Sequence, residues 1–245
     1  MTPRITGAVA LRVLNQLRRD YRTVVLLIVA PCMLMVLLWW LYLDQGHIFD
    51  QIGAPLLAVF PFIVMFLVTS VTTLGERKSG TLERLLAMPM GKVDFLLGYA
   101  IAFGVLAIVQ SICTASLALG LLGLDIEGSW VTLGLIAVLN SVVGTALGLF
   151  VSAFAETEFQ AVQFMPVFVI PQILLCGLLV PTDDMPGFLD GLSRVLPLTY
   201  SVDAMQNVVA YESWTTDLTT DLIVVAAFAV GVLLLGAATL RRRSA

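Results

Sequence analysis

The stretch Gly75–Lys92, GERKSGTLERLLAMPMGK, carries the spacing most suggestive of chemistry. Gly75 and Gly80 stand as they would in a phosphate-binding loop, where backbone N–H groups cradle phosphates and a lysine reaches in. Thr81 occupies the lysine position and no parallel-sheet strand precedes the first glycine, so ATP binding by this chain alone is not expected. What remains is a polar, basic interruption containing Arg77, Lys78, Arg84 and Lys92. Ser79 and Gly80 suit a helix entry, Glu83 a first turn, and Pro89 a stop. Leu82, Leu85 and Leu86 fall on one side of that helix, with Glu83, Arg84 and Ala87 opposite. Isolated helices need about 12–15 residues to persist in water, so something must hold this apolar side. It either packs on the protein's own membrane helices or docks a soluble partner.

Other reactive patterns are missing. The single histidine, His47, excludes an HExxH site and sits in a polar stretch. Cys32, Cys113 and Cys176 each lie in a different apolar run and read as small buried hydrophobes with no disulfide. The apolar runs hold no Ser/His pair, no Lys pair and no carboxylate pair, so intramembrane catalysis is not expected, and neither is a metal or a nucleic-acid partner. Their interiors as read here also lack Asp, Glu, Lys, Arg and His, which proton relays and ion-coupled carriers usually need at membrane depth. The polar residues they do contain are neutral: Thr69, Ser70, Thr72, Thr73, Gln110, Ser111, Thr114, Asn140, Ser141, Thr145, Gln163 and Gln172. They can form interhelical hydrogen bonds worth about 0.6–2 kcal/mol each. Alternatively Phe62, Phe66, Thr69, Thr73, Gln163, Phe168 and Gln172 line a neutral cavity for an uncharged or amphipathic substrate.

The elements that must position these residues follow from composition. The chain has 245 residues, 59% hydrophobic and only 12% charged, with mean hydropathy +0.99. Soluble domains carry about 25% charged residues, so this is a multispanning, all-α membrane protein. Spans of the length needed for a hydrocarbon core about 30 Å thick are expected at about 23–43, 54–74, 95–124, 130–154, 161–180 and 222–240, within a single transmembrane domain over 1–245. Residues 4–22 read as a basic amphipathic helix for the headgroup region, and Asp44–Gly53 as a polar loop. In 181–211, Asp190, Arg194, Pro197 and Asp203 make a further span costly, since a central charge costs roughly 2.5–3.5 kcal/mol. Two short helices, about Pro186–Leu196 and Ser201–Tyr211, are expected there instead. Gly144 and Gly148 form a small-xxx-small pair that permits close helix packing. With six spans, every basic residue except Arg194 falls on the side of the two termini, which the positive-inside rule assigns to the cytoplasm.

ERKSGTLERLLAMP after the second span, and Pro197-Leu198-Thr199-Tyr200 followed by Gln206 before the last, closely resemble the permease subunits of type-2 ATP-binding-cassette exporters, the ABC-2 membrane family. The resemblance covers essentially the whole chain. It implies a bacterial cell-membrane permease, both termini cytoplasmic, with two copies joined to two ATP-hydrolysing subunits that hold ATP and Mg; this chain needs no cofactor. Residues 76–89 would be the coupling helix, docking through Glu76, Arg77, Gly80, Thr81, Leu82, Glu83, Arg84, Leu85 and Leu86. Residues 181–211 would be extracellular or re-entrant helices, with Pro197, Tyr200 and Gln206 at an outer gate. Drug-like, lipid-like and polysaccharide cargo all occur in the family. Polysaccharide permeases tend to carry REIRxRY near the N-terminus, from which LRRDYRT here departs. A hydrophobic or amphipathic compound is therefore the expected cargo, a polysaccharide or lipid-linked glycan the alternative, and a self-sufficient channel or carrier the rival from another class.

Overall fold

The computed structural model describes residues 3–79 and 91–239. Among them are nine α-helices and no strand: α1 (Pro3–Arg19), α2 (Tyr21–Leu41), α3 (Gly46–Lys78), α4 (Lys92–Gly120), α5 (Trp130–Ser152), α6 (Glu158–Leu175), α7 (Gly187–Ser193), α8 (Pro197–Ala210) and α9 (Thr216–Thr239). Six of these, α2 to α6 and α9, are long and apolar enough to cross a bilayer. The chain is a multi-pass, all-α membrane protein. Helices satisfy their own backbone polar groups, which lipid cannot do for them, and neighbouring helices rescue the carbonyls freed by proline. Pro31, Pro55, Pro61, Pro166 and Pro171 are accordingly all inside helices.

The centre of the bundle is the α3–α5 pair. A Cβ on Gly144 would collide with the carbonyl oxygen of Phe62, and one on Gly148 would lie 2.6 Å from that of Phe66. The small-xxx-small pair thus seats one helix backbone on another within the chain. Phe62, Phe66, Val143, Ala146 and Val151 close around this contact, joined by Val225 and Ala229 of α9. Among the described residues, several of the neutral polar side chains bond within their own helices. Thr114, Ser141 and Thr145 donate to carbonyls four residues back in their own helices, Gln110, Ala137 and Ser141, a local route that needs no partner helix. Asn140 does bridge, its Nδ2 donating to the carbonyl of Ala58 at 3.0 Å.

Two helix starts differ most from expectation. The stretch expected as a loop at 44–53 is helical from Gly46 onward. Phe49, Gly53 and Leu57 recur on one face, and Phe49 is 2% exposed in a cluster with Ala54, Leu57 and Leu124. Burying such a ring contributes about 1.5–3 kcal/mol, and Asp50 adds an acceptor for the backbone N–H of Asp125 at 3.0 Å. The last span also starts earlier, at Thr216. The Thr215 hydroxyl accepts the backbone N–H of Leu218 at 3.1 Å, a helix cap that draws Asp217 and Asp221 into α9.

Residues 181–211 form a 3-10 turn (Thr182–Asp184), α7 and α8. Pro197 opens α8, where its fixed φ and missing N–H are harmless. At about 1.5 Å per residue, the 14 residues of α8 fall short of a bilayer core. The helix is wedged against α3, α5 and α9 with Leu198, Val202 and Met205 buried. Gly128 donates its N–H to the Val208 carbonyl at 2.9 Å, and a Cβ there would be 2.7 Å from the same oxygen. The last described turns of α9 return to the end of the bundle where α4 begins and α5 ends, Gly236 approaching Leu96 and Phe150.

Candidate functional site

The polar residues converge at the roots of the segment between α3 and α4. Building this site begins with α1, whose sequence puts Val9, Ala10, Val13 and Leu17 on one side. That side is buried on α4 against Phe95, Tyr99, Ala102 and Phe103, and not turned to lipid. Gly98 makes the seat possible: a Cβ there would lie 2.6 Å from Val9 Cγ1 and 3.1 Å from the Thr6 carbonyl. Arg18 and Arg19 remain exposed.

From this seat α1 sends out two polar arms. Arg12 Nη2 donates to both carboxylate oxygens of Glu76, at 2.9 and 3.1 Å, and to the Tyr99 hydroxyl at 2.8 Å. Six residues earlier, the Thr6 hydroxyl donates to Asp94 at 3.1 Å. Glu76 and Asp94 are 5% and 4% exposed, so leaving either without a partner would cost several kcal/mol in desolvation, of order. Asp94 also accepts the backbone N–H of Gly91 at 3.2 Å, closing the first turn of α4. One helix therefore grips the last turns of α3 and the first turn of α4, on either side of 80–90. Nearby, Gly75 approaches Glu158 of α6, and Leu74 packs with Ala155 and Ala161.

Of the expected docking residues, Glu76 is turned inward to Arg12 and Arg77 lies in α3. Gly80, Thr81, Leu82, Glu83, Arg84, Leu85 and Leu86 lie outside the described residues.

The expected cavity residues separate into two groups. Phe62 and Phe66 are fully buried in the α3–α5 seam, and Phe168 packs at its edge. Thr69 and Thr73 are buried with hydroxyls that meet no partner among the described residues. Gln172 donates Nε2 to the Phe168 carbonyl at 2.9 Å and leaves Oε1 unpaired, while Gln163 is exposed. At the opposite end, Pro197 is buried and Tyr200 donates its hydroxyl to the Arg194 carbonyl at 2.7 Å. Gln206 is exposed and opens onto a cleft of about 590 Å³. Asp203, in the same helix, has its carboxyl raised to about 6, first by burial and then by the charge of Asp183.

A bundle of six spans whose α3–α4 connection is gripped at both roots can be set beside known proteins. The family model for the ABC-2 type transporter matches residues 6–209. The chain belongs to the ABC-2 type transporter family. It is 27% identical over 153 residues to the probable multidrug ABC transporter permease YbhR of Escherichia coli K12, covering 62% of this chain and 42% of that one. It is 26% identical over 145 residues to the inner membrane transport permease YhhJ of the same strain, covering 59% and 39%. Over 159 residues it is 26% identical to ABC transporter G family member 20 of Dictyostelium discoideum, covering 65% and 22%. The matched region thus spans less than half the length of these relatives.

The ABC-2 membrane domain carries no nucleotide-binding site, in keeping with Thr81 at the lysine position. Sequence reasoning on this ABC-2 chain missed Thr6, Arg12, Asp94 and Tyr99. Only the Gly91–Asp94 spacing was visible locally, as a helix start. The partners of Arg12 are 64 and 87 residues away, beyond any periodicity.

Proposed function

We propose that this chain is the permease of an ABC-2 exporter, working as two copies with two copies of a separate ATPase, and moving a hydrophobic or amphipathic compound out of a bacterial cell. ATP and Mg reside on the ATPase. Both termini and 76–89 face the cytoplasm, and 181–211 faces outward. The observation that carries this reading is the double grip of α1 on the roots of 80–90, Arg12 on Glu76 and Thr6 on Asp94. A push on that segment is delivered to α1, α3 and α4 together and does not dissipate in a loose loop. The names of its E. coli relatives, two of them probable multidrug permeases, favour a drug- or lipid-like cargo. The apolar side chains that α2 and α6 turn outward, among them Leu26, Trp40, Val167 and Leu174, offer surface for lipid and a second copy. Cargo would pass by a change in which side the membrane helices open to.

The test is Leu85→Asp. If the leucine side of the coupling helix is buried in the ATPase, a carboxylate there forfeits about 1.5–3 kcal/mol of burial and adds desolvation. Expected are loss of ATPase co-purification, or ATP hydrolysis uncoupled from transport, with normal amounts of permease in the membrane. Loss of the permease itself, with remaining copies coupling normally, would mean the leucines pack on their own membrane helices. Ion-driven transport by the lone chain in liposomes would refute the exporter reading.

A further inference from the structure

The outer cleft of about 590 Å³ is lined by Asp183, Asp203, Asp217 and Asp221, with Gln206 and Tyr211. None of its lining residues is basic, and Arg194, in the adjoining stretch, is already paired bidentately with Asp190 at 2.9 and 3.0 Å. Asp221 carries the argument. It is 9% exposed, lines the cleft and has no hydrogen bond or ion pair among the described residues. Asp217, one helical turn earlier, opens onto the same space.

A largely buried carboxylate without a counter-charge, as Asp221 is, is unfavourable, and the half-buried Asp203 and the exposed Asp183 and Asp217 around the same cleft add repulsion. A group of this kind calls for a cation from outside the chain. A bare metal ion does not fit: no cluster of carboxylate, His or Cys groups among the described residues is close enough to hold one. The volume instead falls in the range of small-molecule sites, about 300–1,000 Å³, and Tyr211 in the lining is an aromatic residue of the kind that attracts a quaternary nitrogen.

We propose that this cleft binds organic ammonium cations on the outer side of the permease, where a positively charged amphiphilic cargo leaves it. The proposal rests on the exporter reading above and narrows its cargo to cations. An ammonium group could also come from a phosphatidylethanolamine headgroup, so the experiment separates the two sources.

The permease–ATPase complex is placed in nanodiscs of neutral, amine-free diglycosyl diacylglycerol. It is titrated with dansylamidoethyl trimethylammonium and with uncharged dansylamide, binding being read by fluorescence. The cation should bind saturably and at least tenfold more tightly than the neutral probe. Asp221→Asn should weaken the cation at least tenfold and the neutral probe less than twofold. Asp217→Asn, at an exposed position, should weaken the cation several-fold. Asp184→Asn, close by but outside the cleft lining, should change it less than twofold. Equal binding of the two probes, or wild-type affinity in both the Asp217 and Asp221 variants, overturns the proposal. Loss of probe affinity when phosphatidylethanolamine is added assigns the site to a lipid headgroup and overturns the cargo reading. If binding fails while the complex still assembles and transports, only the cleft is refuted. Failure to assemble removes the exporter reading and the cargo assignment with it.

Discussion

Removing Arg12 while leaving Glu76 in place tests the grip on the end of α3 most directly. The Glu76 side chain is 6% exposed and that of Arg12 32%. Breaking one side of a fully buried pair costs about 3–5 kcal/mol, whereas exposed pairs are worth about 0–1 kcal/mol. With one member buried and the other a third exposed, Arg12→Ala should cost about 2 kcal/mol, between those limits. Most of that is the penalty of a carboxylate stranded beside Tyr99. Glu76→Gln, which keeps an acceptor for Arg12 and removes the charge, should cost about half as much. The double variant should then be more stable than the sum of the singles by about 1 kcal/mol, because no orphan charge remains. In a chain of this size 1 kcal/mol corresponds to about 2–4 °C in Tm, so Arg12→Ala should lower Tm by about 4–8 °C. The assay is thermal unfolding of the four species in nanodiscs, alongside ATP-dependent transport. Single effects that add to within about 0.3–0.5 kcal/mol would show that the two side chains are energetically independent, and the grip would be only geometric.

The remaining predictions concern other parts of the bundle. Gly144→Ala and Gly148→Ala place a methyl against the carbonyls of Phe62 and Phe66 and should each cost about 1–3 kcal/mol as overpacking, read as lost membrane accumulation; Gly134→Ala, with open space around it, should be silent. Cysteines at Asp183 and Thr216, in a background lacking Cys32, Cys113 and Cys176, should both label from outside, and labelling from opposite faces would overturn the six-span topology. Asp203 is raised to about 6 by burial and then by Asp183, so the folded state holds its proton more tightly than the unfolded state does. Stability should therefore fall as pH rises from about 4 through about 6. Asp203→Asn should flatten that fall and raise Tm at pH 7.5 but not at pH 4, and an unchanged pH profile would discount the shift.

Spans were legible because length and apolarity alone satisfy the membrane's demand on the backbone. The short helices of 181–211 were legible for the opposite reason: Asp190, Arg194, Pro197 and Asp203 make a crossing too costly, and Pro197 itself opens α8. Where one buried aromatic outweighs several polar neighbours, the local pattern misleads. Phe49 pulled Gly46–Gly53 into α3 in this way. Asp221 lies just outside the last span that hydropathy marks, since the start of α9 depends on a cap from Thr215 and not on hydropathy. Arg12 read as one more charge on an amphipathic helix. Its pairing with Glu76 is a property of the packed bundle, and so is the seat that Gly98 provides for Val9.

The α3–α5 seam has a mechanical consequence. Asn140 meets Ala58, Gly144 meets Phe62 and Gly148 meets Phe66, so both helices advance by the same four residues at each point of engagement. The seam works as a toothed clutch. A slip by one turn, about 5.4 Å, in one direction would drive the Asn140 side chain into the gap beneath the Phe62 carbonyl, where even a Cβ finds no room. In the other direction it would bring Ser152 toward Phe66. Neither new register can engage. The two helices are therefore locked as one rigid strut, and any sliding that opens and shuts a path has to occur along the seams that the other membrane helices, α2, α4, α6 and α9, make with it.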